Sequence, residues 1–110
     1  MKGQRRMTEP EIIFDEVCFF ADDQIEIVEK NYSHYESYVF ADHILDEWIE
    51  IKNLAEWCYR KLWSEGWDPH EQLEHFKNWL SFYSGVCYDC RFDPYQKVLK
   101  FISELELGRN

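Results

Sequence analysis

The sequence predicts an all-α protein, a single domain of four helices spanning residues of about 9–31, 34–64, 69–84 and 94–107. Three observations carry this. Apolar residues recur at steps of three and four through most of the chain. Each run is preceded by a Ser, Thr or Asp placed to cap a helix, and three of the four meet a Gly near their ends.

Thr8-x-x-Glu11 has capping-box spacing, and Pro10 sits early enough in the first turn to be tolerated. Phe14, Cys18, Ala21, Ile25, Val28 and Tyr32 then repeat the four-three spacing of one helical face. The alternative for residues 12–28 is a β-hairpin, with Phe19-Phe20-Ala21 and Gln24 to Val28 flanking a turn at Asp22-Asp23. Six periodic positions outweigh one short alternation, so the helix is preferred.

Asn31-Tyr32-Ser33 interrupts the pattern, and Ser33-x-x-Glu36 is a second capping box. The stripe of the second helix is Ala41, Ile44, Trp48, Ile51, Ala55, Cys58 and Leu62, widened by Tyr38 and Leu45. Asn53-x-x-Glu56 allows a kink near Lys52, and Gly66 is placed to end the helix in the left-handed conformation.

Asp68-Pro69-His70-Glu71 opens the third helix and Asp93-Pro94-Tyr95-Gln96 the fourth, with Asp capping and Pro at the first helical position. Their stripes are Leu73, Phe76, Leu80, Tyr83 and Tyr95, Val98, Ile102, Leu105, closed by Gly85 and Gly108. The two segments align at an offset of 25 residues. Two copies are too few for a solenoid.

At 110 residues, with 45% hydrophobic and 18% aromatic content, the chain can build a core despite 22 acids against 12 bases. The charge is uneven. Residues 1–7 form a basic tail with Lys2, Arg5 and Arg6, whereas residues 8–56 hold fourteen acids against Lys30 and Lys52. Such a surface repels phosphate and anionic lipid, which argues against direct nucleic-acid or membrane binding. The basic tail is followed by no apolar run of signal-peptide type, and Cys18, Cys58, Cys87 and Cys90 read as reduced thiols of a cytoplasmic protein.

No catalytic signature is present: no Gly-rich phosphate loop, no G-x-S-x-G, no H-E-x-x-H. Cys87-x-x-Cys90 with His70 and His75 is the one zinc-like constellation. Its two histidines are five apart on a helix and diverge by about 140°. A small zinc-stabilised domain is therefore a secondary alternative, and the expectation is a non-enzyme with neither metal nor cofactor.

The carboxylates remain. Asp42, Asp46 and Glu50 step by four along the second helix, a like-charged row that folding does not need. Asp15, Asp22, Asp23 and Glu26 form an acidic flank on the first helix, with Phe19 and Ile27 among them. Regularly spaced anions with a few apolar anchors imitate a nucleic-acid backbone. These seven residues are the candidate partner-binding site, and the expected partner is a basic protein surface, a nucleic-acid-binding protein or nuclease. In character the chain resembles antirestriction and anti-CRISPR DNA-mimic decoys and the immunity proteins of nuclease toxins, with no residue-by-residue motif. The alternative is a helical homodimer or assembly module in which the acids are the solvated face.

Overall fold

In the computed structural model, which describes residues 8–35, 37–86 and 90–108, the chain forms α1 (Glu9–Lys30), α2 (Tyr38–Glu65), α3 (Pro69–Tyr83) and α4 (Pro94–Gly108). Short 3-10 turns, Tyr32–His34 and Cys90–Phe92, precede α2 and α4. There is no strand among the described residues. The helix is continuous where the hairpin was the alternative, so residues 12–28 are not two strands. The reason is burial. Ile13, Phe14, Val17, Ala21 and Val28 all face inward from α1, a set that strand alternation would divide between two faces.

Caps set the boundaries. The Thr8 side chain accepts from the Glu11 N–H, Ser37 from Phe40 at 3.1 Å, and Asp68 from Glu71 at 3.0 Å. Helix α2 thus starts four residues later than the Ser33 box predicts. Ser33 lies inside the 3-10 turn, and Glu36 lies outside the described residues. What holds that turn is tertiary. Tyr35 packs on Phe40 and Phe92, at ring-centroid distances of 5.6 and 5.8 Å, and Asn31 turns its amide back onto the Ile27 carbonyl. Tyr38 does not widen the apolar face. It is 65% exposed and stacks on Tyr32 instead. Nor does α2 break near Lys52, because Ile51, Ala55 and Cys58 carry its buried stripe straight past that point. Gly66 ends α2 at φ 65°, where any other residue pays for its Cβ.

The two long helices run antiparallel and form one layer; α3 and α4, also antiparallel, cover its apolar side. Trp48 sits at the centre, 1% exposed, with the edge of Phe20 against it at 5.7 Å. Phe20 in turn stacks on Phe101 of α4 at 4.3 Å, and Phe14 meets Phe76 of α3 at 5.5 Å. Aromatic pairs of this kind add about 0.5–1.5 kcal/mol each beyond their area burial. Lys77 and Glu106 tie α3 to α4 at 2.8 Å. Asp93 ties them more firmly. Its carboxylate accepts from the Ser84 hydroxyl, the Gly85 N–H and the Gln96 N–H, so it receives the end of α3 and caps the start of α4 together.

Two substitutions test this packing. Trp48→Ala is expected to cost about 3–5 kcal/mol, read as a lower denaturant midpoint with the slope unchanged; a near-neutral result would put Trp48 on the surface. Asp93→Ala is expected to cost about 2–3 kcal/mol through the lost cap and its charge-assisted bonds. Asp93→Asn should recover part of that, and equal losses would show that the carboxylate's acceptor role is not what matters.

Candidate protein-interaction surface

An α-helix advances 100° per residue, so Asp15, Asp22, Asp23 and Glu26 fall within about 100° of arc on the outer side of α1. Phe19 lies in their midst, 60% exposed. The antiparallel pairing sets this strip beside α2. Asp22 meets Lys52 at 2.7 Å, Lys52 also approaches Glu56 at 3.8 Å, and the Tyr32 hydroxyl donates to Asp42. The α1 carboxylates and Asp42 therefore share one flank of the helix pair.

Asp46 stays near enough for its charge to act on the Tyr32 hydroxyl that binds Asp42, whereas Glu50 turns away from the flank. Each step of four rotates about 40°, which places Glu50 about 80° around α2 from Asp42. Glu50 instead lines a depression of about 540 Å³ with Asn53, Leu54, Trp57, Arg60 and, from α3, Trp79. Of the seven predicted residues, five share one flank, Asp46 stands at its edge, and Glu50 lies on the outward face of α2. Two of them are matched by the chain's own lysines, Asp22 by Lys52 and Glu26 by Lys30 at 2.9 Å. Asp15, Asp23, Asp46 and Glu50 have no hydrogen-bond or ion-pair partner among the described residues.

Between the helices the flank is concave. A cleft of about 300 Å³ is bordered by Asp15, Phe19, Asp22, Glu56, Tyr59 and Arg60, with Cys18 at its base. Burial, then the negative charges of Glu56, Asp15 and Asp22, push the Cys18 thiol up to about 12, and burial pushes Cys58 up to about 11. Neither is a thiolate at neutral pH, so neither is a nucleophile there. Among the described residues no group of three or more His, Cys, Asp and Glu is arranged to hold a metal. Cys87 of the Cys87-x-x-Cys90 pair falls outside the described residues. His75 lies 3.5 Å from Glu71 on exposed α3 surface.

The chain matches no protein-family model, no curated protein and no solved structure. Its surface is therefore read from chemistry alone.

A second feature of that surface lies on the C-terminal half of α2. Trp57 and Trp63 are 42% and 44% exposed, and with Tyr59, Arg60, Lys61 and Ser64 they line a shallow depression of about 740 Å³. Trp67 meets Trp57 edge-on at 5.3 Å, and the Lys61 ammonium lies 5.8 Å from the Trp57 ring centroid while pairing with Glu65 at 2.9 Å. Arg60 has no partner among the described residues. The patch lies away from the buried stripe of α2, so the periodic apolar positions do not mark it. The signal was the opposite row, in which Glu50, Asn53, Trp57 and Arg60 repeat the same three-four steps.

The titrations share a sign. Cys18 and Cys58 have an ordinary value of 9.0 and hold their protons more tightly in the fold. Tyr32 is raised by its bond to Asp42, Lys52 by its bond to Asp22 and Lys30 by Glu26. In every case the folded chain binds more protons than the unfolded one at alkaline pH, so stability falls as pH climbs. For the thiols the decline begins near 9.0 and runs to about 11 for Cys58 and about 12 for Cys18. Melting temperature is expected to drop across that range, and Cys18→Ser should flatten the drop; an equal slope in the variant would remove Cys18 from the account.

Proposed function

We propose that this protein is an acidic, non-catalytic binding inhibitor that occupies the basic nucleic-acid-binding or nuclease site of another protein in the cytoplasm. The observation that carries the reading is the α1 strip. It is a row of four carboxylates at helical spacing, reinforced by Asp42 alongside and interrupted by Lys52 and Lys30, with Arg60 at the edge of its cleft. Like charges in such a row cost a helix a few tenths of a kcal/mol per pair, so the arrangement opposes local stability and finds its use in contact. Phe19 and Ile27, both exposed, supply apolar anchors within and beside the strip. A cationic groove meeting it gains long-range attraction first and desolvated pairs second, which produces fast, salt-sensitive association. The cleft at Asp15, Asp22 and Glu56, walled by Phe19 and Tyr59, suits a single Lys or Arg side chain from that partner. No described helix is long and apolar enough to cross a membrane.

The test uses the full chain as bait in lysate at low salt, with a salt-step elution and mass spectrometry of what elutes. The expected result is a nucleic-acid-binding protein whose nucleic acid is displaced competitively by the bait. A triple variant, Asp15→Lys with Asp23→Lys and Glu26→Lys, should keep its helicity and lose capture by tenfold or more, about 1.4 kcal/mol at the least. Capture that survives the triple reversal, or a partner that binds nucleic acid undisturbed, would overturn the proposal.

A further inference from the structure

We infer that the outward face of α2 is a self-complementary seam through which two copies of this chain form an antiparallel dimer. Asp46, Glu50, Asn53, Trp57, Arg60 and Ser64 are all exposed and follow one another at steps of four and three. That is the heptad spacing of a coiled-coil seam, on the side of α2 opposite its buried stripe. From Asp46 to Ser64 the seam runs about 27 Å; Trp79 of α3 borders it on one side and the α1 cleft meets it at Arg60, and all six of its residues remain exposed.

The seam carries opposite charge at its two ends. Asp46 and Glu50 lie on one side of Ala55, Arg60 and Lys61 on the other. A parallel pairing would set Glu50 against Glu50 and Arg60 against Arg60. An antiparallel pairing with its two-fold axis at Ala55 sets Glu50 against the partner's Arg60 at both ends, Asn53 against the partner's Trp57, and Asp46 against the partner's Ser64. Each match is chemical. The guanidinium and carboxylate of residues 60 and 50, which have no partners among the described residues of one chain, find each other. The Trp57 indole N–H is a donor with the Asn53 carbonyl oxygen in reach of its register position, and its exposed ring leaves water at the centre of the contact. Such isologous contact is the commonest symmetry of small assemblies. The seam meets the acidic flank only at Arg60, which borders the α1 cleft, and the outer carboxylates Asp23 and Glu26 stay accessible in the dimer.

Light scattering across a concentration series is the test. The mass should move from the 13.5 kDa of one chain toward twice that value. Arg60→Glu alone and Glu50→Arg alone each place like charges opposite one another twice, and each should remain monomeric where the unaltered chain is dimeric. Mixed in equal amounts, the two variants restore an attractive pair at both ends and should dimerise together. The Asp15, Asp23 and Glu26 reversal should dimerise like the unaltered chain, which separates this result from the fate of the inhibitor reading. An unaltered chain that stays monomeric at every concentration, single variants that dimerise undiminished, or a mixture that stays monomeric would each overturn the inference.

Discussion

The burial of Trp48 against Phe20 of α1 is the constraint from which the remaining surface follows. Once that indole points inward, the azimuth of every other residue on α2 is decided by 100° steps. Ile44, Ile51, Ala55 and Leu62 go in with it, and Glu50, Trp57 and Arg60 are turned outward. Phe20 locks the phase from α1 by meeting Trp48 with its edge and Phe101 with its face. Rotating α2 by even half a turn would bury three charges and expose the largest apolar side chain of the core. The penalty for one unpaired buried charge already exceeds what any surface contact could return.

Much of this was legible from residue spacing, because helices are local and their caps are local too. Thr8, Asp68 and Asp93 declare their helices within four residues, and the α2 stripe identifies every buried position of that helix but Phe40. The α1 stripe finds Phe14, Ala21 and Val28 but misses Ile13 and Val17, and its Cys18 and Ile25 are only half-buried. Where the local signal failed, a distant residue decided the outcome. Ser33 and Ser37 both stand where a cap could stand. The choice of Ser37 depends on Tyr35 reaching Phe40 and Phe92, and Phe92 is more than fifty residues further along. Tyr38 looks apolar in a periodic count, yet the Tyr32 ring offers it a partner at the surface. The candidate site shows the same division. Spacing put Asp15, Asp22, Asp23 and Glu26 on one strip, which is a local property. It could not show that Lys52 would reach across to Asp22, or that the drift of 40° per step would carry Glu50 to the side of Trp79.

The acidic character is therefore two arrangements rather than one. Along the α1–α2 flank the carboxylates are crowded enough that lysines are drawn in among them, and the residual field is broad and negative. On the outward face of α2 the charges are sparse, of both signs, and separated by a tryptophan. A broad field of one sign favours a much larger basic partner, whereas a short pattern with opposite charge at its two ends favours a surface that repeats it in reverse. One helix contributes to both, and Arg60 stands where its two exposed sides meet.

Phe20 and Phe101 are eighty-one positions apart in the chain, and this separation bears on how the protein is made. During synthesis the α1–α2 pair emerges well before the segment that shields its apolar side, so for some seconds Phe14, Phe20 and Trp48 face the crowded interior of the cell. Nascent chains in that condition stick to one another. The fourteen carboxylates of residues 8–56 give each unfinished molecule the same sign of charge as its neighbours, a repulsion that opposes their association until α3 and α4 arrive.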